Sequence, residues 1–190
     1  VFHAYPAAAW AEESAHGFSA SLSADEFKAL FRGHPGGVAV ITADAGDGPV
    51  ALTATSVVSV SAEPPLLIFS VSALSSASDV LSRAESVVVH LLDAQDLNLA
   101  KLGATGGIDR FAQTHRWSRL STGEPVYADV RAWVRCAVIN RMDAGTSTVI
   151  AAHALESHIA RDVDPGAPGD ALVYHNRGWH RLSAQSRIEG

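Results

Sequence analysis

The chain has 190 residues, 47% hydrophobic and only 18% charged, which is enough for one sizeable core, too few for two full enzyme domains, and excludes disorder. Fourteen Lys and Arg against twenty Asp and Glu leave a net charge of −6, which argues against a nucleic-acid or anionic-membrane surface, since either needs clustered basic charge. The single cysteine, Cys136, excludes an internal disulfide framework and a cysteine-based zinc site, and reads most simply as a small buried hydrophobe.

Val1 opens the chain and Met142 is its one methionine, so a start ahead of Val1 is expected. Residues 1–21 read as a loosely ordered arm without the basic-then-apolar pattern of a secretory signal. Ser23 followed by Glu26 is a capping-box signature and predicts a helix over 24–31, with Phe27, Leu30 and Phe31 on one face. His34-Pro35-Gly36-Gly37 ends it. A strand over 38–42 and a turn over 43–49 lead into a long strand over 50–61, where Val50, Leu52 and Ala54 alternate with Ala51, Thr53 and Thr55. Pro64-Pro65 breaks it. A strand over 66–71, a helix over 75–83, a strand over 87–92 and a helix over 93–102 follow. Residues 103–128 show no clear period, and a loop of that length is usually functional or mobile. Strands over 130–140 and 148–158 pair around a turn at Met142 to Gly145. A loop over 162–169 precedes a last hairpin, 171–174 with 179–182. Residues 184–190 form a tail whose closing SRIEG reads as an appended protease-site linker.

Seven or so short strands with few helices predict a mainly β domain over 22–183, a closed antiparallel barrel with short flanking helices. No run of about 18 apolar residues exists, so no membrane span is expected and the cytoplasm is the default location.

Three constellations bear on chemistry. Thr53-Ala54-Thr55-Ser56, continuing to Ser59 and Ser61, places many hydroxyls on one strand. Ser and Thr are compact donors and acceptors that suit the polar edge of a flat heterocycle or a ribityl chain, although β-propensity also favours Thr. The run from Ser70 through Ser72, Ser75, Ser76 and Ser78 ends a strand and enters a helix, where backbone amides and hydroxyls favour a phosphate. Ser76 with Asp79 also fits a plain helix cap. Asp109-Arg110-Phe111 sets a cation beside an aromatic in the long loop. The nine histidines lack metal-ligand spacing, so no metal site is expected. Neither a Walker loop, a GxGxxG fingerprint nor a GxSxG elbow is present.

Taken in order, FRGHPGGVAVITA, GPVALTATSVVSVSAEPPLLIFSV, VVVHLL, DRF, GEPVYADVRAWVRC and ALVYHNRGWHRL resemble the motifs of the short-chain flavin reductases over residues 23 to 182. These are the reductase partners of two-component flavin-dependent monooxygenases. The resemblance implies the FMN-binding split barrel, a Greek-key antiparallel fold, and a homodimer. It implies hydride transfer from NADH or NADPH to FMN, or to FAD, with reduced flavin passed to a separate oxygenase. Pro35 to Val38 and Thr53 to Ser56, with Ala54 and Thr55, would flank the isoalloxazine. Ser59 and Ser61 would reach the ribityl region, and Ser72, Ser75, Ser76 and Ser78 the phosphate. Arg110 and Phe111 would contribute from the long loop, and Trp179 would sit near the flavin or the dimer interface. No catalytic acid or base is expected, and Thr53 and Ser147 are candidates for positioning only.

One departure is visible. Gly145-Thr146-Ser147 stands where the family often has Gly-Asp-His, whose imidazole is associated with nicotinamide binding. A second reading follows from it: a flavin-binding barrel without free-flavin reductase activity, either oxidase-like or a carrier. A non-flavin interaction domain is a third.

Overall fold

The structure is a computed structural model that describes residues 21–161 and 170–188. The expected arm and the 162–169 loop therefore lie almost wholly outside the described residues. Helix α1 spans Ala24–Arg32 and opens with the expected capping box: Ser23 Oγ accepts from the Glu26 amide at 3.3 Å, and Glu26 Oε2 accepts from the Ser23 amide at 2.9 Å. Two-residue strand β1 (Gly36–Gly37) follows, then β2 (Ala39–Asp44), β3 (Pro49–Ala54), β4 (Val58–Ala62) and β5 (Pro65–Ser72). Helix α2 covers Ser78–Arg83 and strand β6 Ser86–Leu91. A 3-10 turn at Ala94–Asp96 leads into α3, Leu97–Ala104. The long loop carries two short strands, β7 (Ser118–Arg119) and β8 (Pro125–Val126). Strands β9 (Ala132–Ala144), β10 (Ser147–Ile159), β11 (Leu172–His175) and β12 (Gly178–Arg181) complete the order.

Seven strands form one antiparallel sheet in the order β3-β2-β6-β9-β10-β5-β4. Its two edges, β3 and β4, are consecutive in sequence and joined by only Thr55, Ser56 and Val57. So short a link forces the sheet to curl until its edges adjoin, yet no ladder joins them. The barrel is therefore split along this seam rather than closed by hydrogen bonds. Ser56 spans the seam: its Oγ accepts from the Ser70 amide at 3.0 Å and donates to the Ser70 carbonyl at 3.4 Å.

Period-two alternation sorts the side chains into two cores. Ala39, Ile41 and Ala43 of β2, with Val87 and Val89 of β6, point inward against Phe69, Cys136 and Ile150. Val38, Val40 and Val88 point outward and are covered by Leu99 and Ala100 of α3, Phe111 and Tyr127 of the long loop, and Leu172. The second sheet, β1-β11-β12, is stitched on at the end of β2 through Val38, whose amide donates to Leu172 O at 3.1 Å and whose carbonyl accepts from Leu92 at 3.2 Å.

Four expected elements are corrected. The single long strand over 50–61 is two strands on opposite edges, because the chain crosses the seam at Thr55–Val57. The helix expected from 75 begins at Ser78, because turns closed by Ser75 N to Ser72 O and Ser78 N to Ser75 O come first. Its cap is Ala77, without a side-chain bond, so Ser76 is not the cap. The long hairpin turns at Gly145-Thr146, one step later than expected, where Gly145 takes a φ of 63°. Among the described residues, no helix is long and apolar enough to cross a membrane.

Candidate functional site

The seam exposes one edge of β3, so alternate backbone groups of that strand have no partner within the sheet. Thr53 leans the other way: its hydroxyl donates to Ala100 O of α3 at 2.7 Å. Gly103 permits this approach, since a Cβ there would overlap Thr53 Oγ1 and lie 3.2 Å from Thr53 N. Ala54 is buried in the inner core, whereas Thr55 is exposed at the end of the seam. Gly36 of β1 runs alongside, where a Cβ would come within 2.9 Å of Thr55 Cβ. Pro35 lies exposed just before it, and Val38 is buried.

At the other end of β3 the serine run and the long loop meet. Arg110 Nη1 donates to Ser76 Oγ at 3.2 Å across 34 residues of sequence. Both line a cavity of about 220 Å³ with Pro49, Val50, Ala51 and Phe111. Arg110 is fixed from behind: Nη2 donates to Thr105 O at 2.8 Å, and its own carbonyl accepts from Tyr127 Oη at 2.8 Å. Its Nε is buried and has no hydrogen-bond partner among the described residues. Phe111 is only 6% exposed and stacks on Tyr127 at 5.5 Å, with Trp117 edge-on at 4.9 Å. It is thus mainly a packing residue that anchors its neighbour Arg110.

The other serines divide. Ser72 Oγ accepts from the Leu74 amide at 3.2 Å and Ser75 Oγ from the Ala77 amide at 3.3 Å, so both shape the loop that presents Ser76. Ser78 is the first residue of α2. Ser59 and Ser61 sit on β4 opposite Leu67 and Leu66, away from this corner, so the structure does not bring them to the serine run. Ser147 is paired with Ser72, and Thr146 O accepts from the Ala73 amide at 3.0 Å, so the hairpin tip is tied to the same loop without an imidazole. His153, the next histidine, pairs with Leu66, at the far end of β5. Trp179 packs on Tyr174 with centroids 4.9 Å apart, beside β1.

Two supporting residues were not legible beforehand. His90 is fully buried, with Nδ1 2.9 Å from Val40 O and Nε2 accepting the Tyr127 amide at 3.0 Å. Those partners make Nδ1 the protonated nitrogen. Burial pushes its pKa down to about 4, so the ring is neutral and pins the long loop to β2 and β6. Tyr127 then holds Arg110, and burial raises its phenol to about 12. Both fall inside quoted motifs, VVVHLL and GEPVYADVRAWVRC, but the motifs give them no role, and only the folded loop makes them neighbours.

Chemically, the seam is a strip of backbone and hydroxyl groups whose Pro49 end carries the Arg110 guanidinium, with the Asp109 carboxylate beside it taken up by the Phe111 amide at 2.8 Å. That distribution suits a planar heterocycle carrying an anionic tail.

Comparison with known proteins agrees in both sequence and fold. A family model described as flavin reductase like domain matches residues 31–183. An NADH:FMN oxidoreductase of Rhodococcus qingshengii is 38% identical over 163 residues, covering 86% of this chain and 84% of the relative. The crystal structure of a flavin reductase domain protein from an Arthrobacter species superposes with a TM-score of 0.75 at 29% identity, over 83% of this chain and 94% of that one. BorF, the flavin reductase component of a bacterial two-component tryptophan halogenase, gives 0.72 at 29% identity, over 85% and 99%. With its motifs in order, its seam intact and the family model matched across both cores, the chain belongs to the flavin reductase like domain family.

Proposed function

We propose that the chain is an NADH:FMN oxidoreductase, with FAD as an alternative flavin and NADPH as an alternative donor. The observation that carries this is the contact between Arg110 and Ser76 at one end of an open, hydroxyl-lined seam. Bound flavin supplies the redox chemistry, taking up a hydride from a reduced nicotinamide. The rest is positioning. The unpaired backbone edge of β3 and the Thr55 hydroxyl would hold the polar edge of the ring system and stabilise the charge that develops there on reduction. Ser56 is committed to Ser70 and would act mainly by keeping the seam at its width. Arg110 and the Ser76 hydroxyl would hold the phosphate, while the amides of Ser75, Ala77 and Ser78 are spent on shaping the loop that presents Ser76. Rigid placement of both reactants makes hydride transfer effectively unimolecular, which needs no side-chain acid or base.

The test is anaerobic titration of the flavin-loaded protein with NADH and then NADPH, following the flavin absorbance. Bleaching by either nucleotide is expected. Tight flavin binding with no bleaching by either one would overturn the reductase reading and favour a flavin-binding barrel without that activity, which the Gly145-Thr146-Ser147 sequence suggests.

The same reading makes a separate oxygenase the consumer of reduced flavin, and the cytoplasm, where reduced nicotinamides are made, the site of action. It also includes a homodimer. Phe27, Leu30 and Phe31 of α1 are 53%, 65% and 57% exposed, and Val58, Val60, Ile139, Met142 and Leu155 are also exposed, which is more apolar surface than a lone small domain needs. Light scattering is expected to give twice the 19.9 kDa chain mass, and a monomer at micromolar concentration would refute it.

A further inference from the structure

The two ends of the seam differ in charge. The Thr55 end opens on a cavity of about 620 Å³ that Lys28, Arg32 and Arg177 line, and no carboxylate among the described residues lines it. The Pro49 end, where Arg110 meets Ser76, is a cavity of about 220 Å³ lined by one cation and one carboxylate, Arg110 and Asp109. That volume is below the roughly 300–1,000 Å³ of sites that enclose a whole small-molecule ligand. It gives room for the end of a flavin tail, one phosphate, and not for an adenosine beyond it.

A second guanidinium stands beside this corner but is not free to serve it. Arg83 Nη2 donates to Asp47 Oδ2 at 2.5 Å and to Asp79 Oδ2 at 2.8 Å. Asp47 lies two residues before Pro49, which lines the cavity, and Asp79 three residues after Ser76. The strap therefore joins the β2–β3 turn to α2 beside the corner, and all three of its side chains are exposed. Counted with the strap, this end of the seam holds three carboxylates and two guanidiniums. The third carboxylate, Asp109, accepts from the Phe111 amide at 2.8 Å, which fixes it next to Arg110. The exposed Ile108 precedes it on the same wall.

We infer that this corner selects FMN over FAD, with Asp109 and the Asp47–Arg83–Asp79 strap as the specificity determinants; the inference rests on the placement of the flavin phosphate at Arg110 and Ser76 in the reductase reading above. The phosphate of FMN is a terminal monoester. Its charge ends there, and its oxygens take the Arg110 guanidinium and the Ser76 hydroxyl. In FAD the same phosphate continues through a bridging oxygen to a second phosphate and an adenosine. That second charge has to leave the corner past Asp109 or past the strap. It meets carboxylates without a cation of its own, because Arg110 serves the first phosphate and Arg83 is held between two aspartates. Discrimination between two ligands that share a head needs such a repulsive element against the wrong one as well as contacts to the right one.

Calorimetric titration with FMN, FAD and riboflavin tests this without any nicotinamide. The wild type is expected to bind FMN at least about tenfold more tightly than FAD. The double variant Asp47→Asn/Asp79→Asn frees Arg83 for a second phosphate and is expected to narrow that ratio about fivefold, by tightening FAD. Asp109→Asn keeps an acceptor for the Phe111 amide and should narrow it about threefold. Riboflavin, which has no phosphate, is expected to bind all of them as it binds the wild type. Exposed ion pairs contribute little to stability, so the variants should keep the wild-type thermal midpoint within a few degrees. A wild type that binds FMN and FAD equally well, or a ratio that neither set of substitutions narrows, would overturn the assignment. A wild type that discriminates as expected, with the ratio narrowed in the variants, but whose flavin neither NADH nor NADPH bleaches, supports the role of the corner and overturns the reductase reading alone.

Discussion

Arg110 is positioned by its own loop before any ligand arrives. Thr105 O takes one guanidinium nitrogen, Tyr127 Oη holds the carbonyl, and the neighbouring Phe111 is clamped between Tyr127 and Trp117. A guanidinium whose rotamer is fixed loses little entropy on binding a phosphate. Arg110→Ala is therefore expected to raise the KM for FMN by about tenfold or more, the equivalent of losing a charge-assisted contact. Riboflavin, which lacks the phosphate, should be turned over by the variant as by the wild type. Equal losses with both flavins would place Arg110 elsewhere in the mechanism. Gly103 poses a different question at the same scale. Alanine is the better helix former by roughly 1 kcal/mol. Its Cβ would nevertheless overlap Thr53 Oγ1, and rotating that hydroxyl away gives up the bond to Ala100 O. Overpacking of this kind costs about 1–3 kcal/mol, so Gly103→Ala should lower the urea midpoint. The Asp109-Arg110-Phe111 motif was visible as a candidate in sequence, but the roles were not. The cation reaches the serine run, while the aromatic turns into the outer core, a division that burial alone determines.

At the level of elements, the long loop is held to the barrel at several points, through His90, through the Thr42 hydroxyl on Pro125 O, and through the Arg119–Asp44 and Arg135–Glu124 pairs. In the folded chain burial keeps the pKa of His90 at about 4, against an ordinary value of 6.5. Between those values the unfolded chain binds the proton and the folded chain does not, so stability falls as pH drops from 6.5 toward 4. The shift corresponds to about 3 kcal/mol across that window. Protonation would also set an N–H against the Tyr127 amide, so the loop carrying Arg110 should loosen in the same range. Denaturation at pH 7.5 and pH 4.5 is expected to show this loss, and His90→Gln should flatten it. Glu124 acts in a lower window. Hydrogen bonds from Ser86, Thr122 and Arg135 outweigh its burial and hold its carboxyl at about 2, so its contribution is lost only as pH falls below 4.5. Most elements could be read from periodicity, because Val87, Val88 and Val89 or Val38 to Thr42 leave little choice but a strand buried on both faces. The break at Thr55 had no such signal. Alternation continues through it, and only the need to cross from one sheet edge to the other interrupts the ladder.

For the whole molecule, the decisive feature is a sheet that curls round one core without sealing. Ser56 takes the place of a strand partner at Ser70, so Ser56→Ala leaves a backbone amide and carbonyl unsatisfied at the seam. The expected result is a loss of about 1–2 kcal/mol, faster hydrogen exchange at the Ser70 amide, and a higher KM for FMN as the seam widens. Protection of that amide equal to wild type would show that the seam is held by other contacts. The sequence by itself determined the local terms. These are the strands, the Ser23–Glu26 cap, the separation of inner and outer apolar faces, and a family resemblance carried by ordered motifs. Each depends on residues within a few positions of one another, where period and propensity act. Tertiary structure alone decided that Ser76 meets Arg110, that His90 supports the loop behind it, and that Lys28, Arg32 and Arg177 surround one cavity. Those contacts join residues tens to more than a hundred positions apart, and strand order, which no local pattern encodes, is what brings them together. The charge-poor composition acquires its meaning at this level: four of the fourteen Lys and Arg, Arg110 at one end of the seam and Lys28, Arg32 and Arg177 at the other, line its two cavities.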